Sequence, residues 1–421
     1  MLKLAPLHRL LTWKSQMKST QQPVTIRFKL IIILIWALPQ MSTDIYLPSM
    51  PAMSQYFHST LDMVQYTIFF YTIGFSIGAL FFGPISDRIG RRPVILWSLA
   101  LATFASLIAM LSTSLHLLFV ARFVQGVALV GVASTVRAVV KDVSPTIQEM
   151  AKFGAVLGIA IPIAAAMAPV IGGYIEKYAY WRVSFAFLLV YILIFLIYSI
   201  RQLPETNHER LERPFKYLLH DYKEVLTNGI FFRYNSITAF ALCSVFAYLT
   251  LSPYLLQIKA GLSPEVFGYT NLLISATLII SSYINSKLIQ RFTIDQLLLC
   301  GVILLAASGV IFLLGGIFNL SSAISIIIPM IVMTCGSGFI YPNASAGGLS
   351  LFAKSAGTAS AVYACIQMLG GSAGSGFISL MSRYGQPQEC LGLFIILQGV
   401  IGIVFARQLI SKNHHLHHQE S

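Results

Sequence analysis

Apolar residues run along this chain in blocks of about twenty. Such blocks are too continuous for the one-sided stripe of a soluble helix, and long enough to cross a hydrocarbon core of about 30 Å. They lie at 29–49, 63–84, 93–112, 116–138, 150–174, 181–200, 231–254, 265–286, 295–316, 323–345, 356–380 and 389–408. The pattern predicts an all-α integral membrane protein with twelve transmembrane helices. Connections are short except for RQLPETNHERLERPFKYLLHDYKE, from Arg201 to Glu224, which divides six spans from six. The expected organisation is an N-terminal arm (1–28), a six-helix bundle (29–200), a linker (201–230), a second six-helix bundle (231–408) and a His-rich tail (409–421). Six plus six suggests internal duplication, which many secondary transporters share. Its trace in the sequence is faint: SDRIGRRPVILWSLAL after the second span is loosely echoed by SKLIQRFTIDQLLLCG after the eighth.

Composition closes off other classes. Only 10% of residues are charged and 56% are hydrophobic, against about 25% charged in soluble domains. Too little polar surface exists to coat soluble domains. The net charge of +13 would suit a nucleic-acid binder, but its placement says otherwise. With the N-terminus inside, 23 of the 28 Lys and Arg residues fall in inner segments and four (Lys177, Arg182, Lys259, Arg383) in outer loops. That asymmetry is the cytoplasmic bias of membrane proteins, so both termini are expected in the cytoplasm. Five cysteines (Cys243, Cys300, Cys335, Cys365, Cys390) lie in or beside apolar stretches without CxxC or Cys/His spacing. They read as packing thiols, neither a disulfide frame nor a metal site. HHLHH (414–418) could hold a metal weakly or be a solvated tail. The arm, with Trp13 and six Lys and Arg residues counted through Lys29, suits an anionic lipid surface or an unstructured leader. No GxxxxGK[ST] loop exists, since Gly-Lys never occurs, so ATP hydrolysis is not expected. No nucleophile–base arrangement suggests an enzyme, and neither cofactor nor metal is expected.

Of 15 acidic residues, 14 fall at span ends, in loops or in the tail; Asp44 alone lies inside a span. An ionised carboxylate there costs about 3 kcal/mol on the mildest insertion scale. Removal from water favours its protonated form, so it can trade protons near neutral pH. The alternative is a helix-end carboxylate at headgroup level. Arg122, in HLLFVARFVQG, is the second charge inside a span. By helix rise, both lie roughly 8–10 Å below the outer surface. A guanidinium keeps its proton, so Arg122 is a fixed partner for the carboxylate or another anion, or else it snorkels outward. Trp36, Gln40 and Asp44 recur every four residues on one helix face. Gln65, Tyr66, Gln125, Tyr248, Tyr254, Asn271, Tyr341, Asn343, Tyr363 and Gln367 add polar or amphipathic groups within spans. These are candidate cavity residues, or interhelical hydrogen bonds and interface anchors.

The most specific string is GFSIGALFFGPISDRIGRRP (74–93). Gly74, Gly78 and Gly83 permit close helix approach, and Asp87, Arg88, Arg91 and Arg92 cluster where the second span ends. Together with TDIYLPSMP (43–51), RFVQG (122–126), VRAVVKD (136–142) and APVIGG (168–173), it makes the chain resemble the major facilitator superfamily. Within that superfamily the resemblance is to the twelve-span drug:proton antiporters of the Bcr/CflA (bicyclomycin-resistance) type, over nearly the whole chain.

The resemblance implies the major facilitator fold, two six-helix bundles rocking about a central site, and proton-driven export of small amphipathic molecules. It implies proton coupling by Asp44 and Arg122. It places Gly83, Asp87, Arg88, Gly90, Arg91, Arg92 and Pro93, with Arg137 and Asp142, in conformational-switch motifs, and Pro162, Pro169, Gly172 and Gly173 in the fifth-helix antiporter motif. The partners implied are a small-molecule substrate, protons and the bilayer, with no nucleic acid, and a monomer as the working unit. Ala155, Ala164 and Ala168 stand where the antiporter motif has more glycines, which keeps small size. Trp36 stands where some relatives have a second membrane acid. The alternative is an importer or facilitator of a metabolite or siderophore on the same fold.

Overall fold

The computed structural model describes residues 26–207, 222–320, 322–352 and 356–417. Among them are twelve helices long and apolar enough to cross a membrane. They are α1 Ile26–Asp44, α2 Leu61–Ile89, α3 Arg91–Leu111, α4 Leu115–Asp142, α5 Ile147–Tyr178, α6 Arg182–Gln202, α7 Gly229–Ser252, α8 Pro264–Leu288, α9 Ile294–Ile317, α10 Ala323–Ser350, α11 Ala356–Met381 and α12 Pro387–His417. "Inner" below denotes the end at which α1 begins.

Helix packing falls into two groups with the same internal plan. In the first, α4 packs on α2, α3 and α1, α1 on α5, and α3 on α6. In the second, α10 packs on α8, α9 and α7, α7 on α11, and α9 on α12. Adding six to each helix number converts one set into the other. The duplication faint in the sequence is plain in the packing. The groups meet through two equivalent seams, α2 against α11 and α5 against α8.

The first span is longer than its apolar block. Pro48 and Pro51 lack the N–H groups that would close helical bonds onto the carbonyls four residues earlier, those of Asp44 and Leu47. The α-helix therefore stops at Asp44, turns through a short 3₁₀ segment Leu47–Ser49 and resumes as a helix Met50–Tyr56. The whole path, Ile26–Tyr56, forms one span of 31 residues. The helix break, and Asp44 with it, thus lies well inside the span, deeper than an end at residue 49 would place it. In the second group, α7 ends likewise in a π-helical turn Pro253–Lys259.

The seams are tight at the outer end. Arg383 pairs with Asp62 across α11 and α2, and Lys177 with Glu265 across α5 and α8. Across the α5–α8 seam a β-carbon added at Gly173 would run into the backbone carbonyl of Pro264, while one at Gly172 would run into that of Ile45 within the first group. At the inner end, by contrast, Gly83, Gly154, Gly158 and Gly357 have nothing described within 4 Å of where a β-carbon would stand. The seams are thus closed at the outer end, whereas these inner glycines of α2, α5 and α11 face open space. The close approach expected of Gly74 and Gly78 is real, both meeting α4, whereas that expected of Gly83 is absent. Gly173→Val is accordingly expected to hold the outer ends apart, because backbone cannot yield as a flexible side chain can. Spin-label distances between the outer ends of α5 and α8 should lengthen, and transport should fall at least about tenfold, the effect of a 1.4 kcal/mol bias between states.

Residues 1–25 of the N-terminal arm and 208–221 of the linker lie outside the described residues. The tail is helical through His417, and the side chains of its histidine run lie outside them too.

Candidate functional site

Asp44 ends α1 at the break and is only 2% exposed. Gln40, one turn earlier, donates its amide to Asp44 Oδ2 at 2.6 Å. The other oxygen, Oδ1, has no hydrogen-bond partner. A buried carboxyl with half its capacity unused is high in energy when ionised, and accepts a proton there at little structural cost.

Arg122 of α4 is fully buried beside it. Its guanidinium is sandwiched between the rings of Tyr46 and Tyr71, 4.5 and 4.4 Å from their centroids. Nη1 donates to the Ser42 carbonyl at 3.0 Å, to Ser42 Oγ at 3.2 Å and to Gln125 Oε1 at 2.5 Å. Gln125 in turn donates to Ser106 Oγ at 2.8 Å. Tyr71 donates its hydroxyl to the Pro39 carbonyl at 2.9 Å, and Tyr46 bonds Thr67 at 3.0 Å. The network ties α1, α2, α3 and α4 together around one cation. No direct ion pair joins Arg122 to Asp44, and Nε and Nη2 of Arg122 have no partner. The partnership expected from their matching depths is one of proximity through Ser42. The snorkelling alternative fails for a side chain held between two tyrosines. Tyr46, Tyr71 and Ser42 were not singled out from sequence; tyrosines at i+2 from Asp44 and on another span carry no signal on their own.

The polar groups scattered through the spans divide by place. Trp36 donates its indole N–H to the Leu157 carbonyl of α5 at 3.0 Å. Tyr363 bonds Thr238 Oγ1 at 3.0 Å, and Gln367 lies one turn further along α11. The hydroxyls of Tyr341 and Tyr248 are unpartnered; Tyr248 is buried against Phe312. Gln65 and Tyr254 instead line an outer cavity of about 480 Å³ with Asp62 and Pro387, and Tyr66 stands near Phe69 on the same helix. Asn343 bonds Asn285 Oδ1 at 2.7 Å, locking α10 to α8, and Asn271 bonds the Phe267 carbonyl of its own helix at 3.2 Å. These two asparagines serve packing in this state.

At the inner end, Gly90 turns the chain with φ 115°, where a side chain would be strained and would meet Glu205. Arg91 is the hub, donating to Asp87 Oδ1 at 2.5 Å, Ser86 Oγ at 2.8 Å and Asp142 Oδ2 at 2.9 Å. Arg92 donates to the Ile200 carbonyl. Glu205, at the start of the linker, accepts four backbone N–H bonds, from Arg91, Arg92, Thr206 and Asn207. Nothing in the sequence marks it, because its partners are main chain. Glu205→Ala should leave those donors short of an acceptor and lower stability by about 1–3 kcal/mol, read as a lower thermal midpoint of the purified protein. Pro162 and Pro169 lie inside α5, and Pro169 meets Gly268 of α8 at the outer seam.

A twelve-helix assembly in two like halves around buried charges is the architecture of many secondary transporters. Residues 32–375 match the Major Facilitator Superfamily, and the chain belongs to that family of transporters. It is 27% identical over 391 residues to Multidrug resistance protein D of Escherichia coli (strain K12), covering 93% of this chain and 97% of that one. It is 26% identical over 367 residues to the Bicyclomycin resistance protein homolog of Haemophilus influenzae, covering 84% and 88%. A D-xylose-proton symporter superposes with a TM-score of 0.71 at 16% identity, over 90% of this chain and 97% of that one; this last likeness concerns the fold alone.

Proposed function

We propose that this chain is a proton-coupled exporter of small amphipathic molecules in the bacterial inner membrane, working by alternating access. The observation that carries the reading is Asp44: buried, half-partnered and placed at the break of α1. The residue after it, Ile45, offers the carbonyl against which Gly172 of α5 packs. Gly173, next along α5, packs on Pro264 of α8. A change of charge at Asp44 therefore acts within one residue of the outer seam. Protonated, Asp44 sits comfortably in its buried place. Ionised, it is drawn toward Arg122, whose two unpaired N–H groups are the nearest fixed positive charge. The two states of Asp44 thus favour different arrangements of the α1 break, and through it of the seam. Substrate arriving from the open inner side competes with the proton for that balance, which is antiport. The relatives named for multidrug and bicyclomycin resistance support export as the direction.

The test is tolerance. Expression in a bacterial host lacking its own efflux pumps should raise tolerance to members of a toxic-compound panel that includes bicyclomycin. Dissipating the proton gradient should restore intracellular accumulation of those compounds. Unchanged tolerance across the panel, or accumulation that rises on expression, would overturn the export reading and favour an importer.

A further inference from the structure

We propose that the inner recess between the halves contains an anion-accepting subsite built on Arg137, and that the molecules moved include amphipathic aromatic acids. The proposal rests on the transport reading above and names a substrate class for the same cavity.

The sequence groups Arg137 with Asp142 at the inner end of the fourth span. The structure separates them. Asp142 is taken by Arg91 and also accepts from Thr206. Arg137 lies five residues earlier on α4, about 7–8 Å further in along the helix axis. Its guanidinium stands over the Trp36 ring of α1, 5.1 Å from the centroid. It is also within electrostatic reach of Tyr363, which belongs to α11 in the other half. A side chain that meets α1 on one side and faces α11 on the other points between the halves and away from lipid. Its side chain is exposed beside a Trp36 ring that is buried, the combination expected of a group lining a recess. Among the described residues, no carboxylate forms an ion pair with it.

The chemistry follows from which parts of the guanidinium are used. Stacking on an indole occupies its face and leaves the N–H donors along its edge. That edge matches a carboxylate, which it can grip through two parallel bonds. Trp36 is itself fixed by its bond to the Leu157 carbonyl, so the platform is rigid. Tyr363, tied to Thr238, supplies a second aromatic wall. Tyr341, close to Tyr363, adds a hydroxyl without a partner. A fork for a carboxylate flanked by aromatic faces fits an aromatic acid. The open space beside Gly83, Gly154, Gly158 and Gly357 leaves the recess reachable from the inner side. The competing explanation is that Arg137 merely obeys the basic-inside bias, or that it latches the inner gate.

The probes are 1-pyrenebutyrate and its uncharged primary amide, titrated into the full-length purified protein in detergent and followed by tryptophan-to-pyrene energy transfer. The acid should bind at least about tenfold tighter than the amide, the worth of one charge-assisted pair. Arg137→Gln should weaken the acid by about the same factor and leave the amide within about twofold. Arg137→Lys, which keeps charge and loses the fork, should fall between. Equal binding of the two probes by the unaltered protein would overturn the proposal. So would failure of both to bind, or an equal loss for both in Arg137→Gln, which is the signature of a packing or latch role. The assay uses no gradient. An acid preference that survives while the tolerance test fails would leave the subsite standing and remove only the export reading.

Discussion

Asp44→Asn is expected to abolish uphill, gradient-driven transport while the protein still assembles. The amide is nearly the same size and shape, and Gln40 can turn its own amide to keep a bond to it. An amide also costs less to bury than an ionised carboxylate, so the thermal midpoint should be equal to or above that of the unaltered chain. What the amide cannot do is release a proton. Downhill movement of substrate should persist at a reduced rate, since the recess and seams are untouched. The expected pattern is thus a loss of accumulation by two orders of magnitude or more with normal expression. It is read as the ratio of uphill to downhill flux in the same vesicles. Accumulation by Asp44→Asn at the unaltered rate would remove Asp44 from the mechanism.

Arg122→Ala should produce the second largest effect. The guanidinium is fully buried, so its loss opens a void between Tyr46 and Tyr71 and strands Gln125. It also removes a cation that lacks a direct carboxylate partner, and a buried charge without one is itself costly. The two effects oppose each other, so folding should survive. Coupling should not, because the ionised form of Asp44 loses the fixed positive charge that faces it. Uphill transport should drop at least about tenfold, the consequence of losing 1.4 kcal/mol or more of charge stabilisation. Arg122→Lys should recover part of it, because an ammonium keeps the charge but cannot lie flat between the rings of Tyr46 and Tyr71. Normal accumulation by Arg122→Ala would reduce this residue to packing.

The spans were legible because a bilayer demands long apolar blocks, and a block of twenty admits few other readings. The charges in their midst were legible for the same reason: a carboxylate is conspicuous where almost nothing else is polar. Depth was not legible. Pro48 and Pro51 look like the end of the first span, and only the short helix Met50–Tyr56 reveals that the span continues. The uncharged polar residues were the least informative. An asparagine in an apolar helix reads the same whether it faces a cavity or, like Asn343 of α10, another asparagine, Asn285 of α8. Arg137 carried a usable signal that motif grouping hid. Five residues along a helix of 3.6 per turn is a rotation of about 140° from the face of Asp142, so the two cannot share a surface. Glu205 had no signal, since its partners are backbone groups that every loop offers.

The most direct test is flux in proteoliposomes sorted so that the inner face is outward, loaded at acidic pH and diluted into neutral buffer with a labelled compound from the tolerance panel. Antiport through Asp44 predicts accumulation of the compound in the acidic lumen as protons leave. That accumulation should collapse on dissipating the pH difference and be absent with Asp44→Asn. Accumulation that ignores the pH difference, or that appears only when the gradient is reversed, would contradict the account.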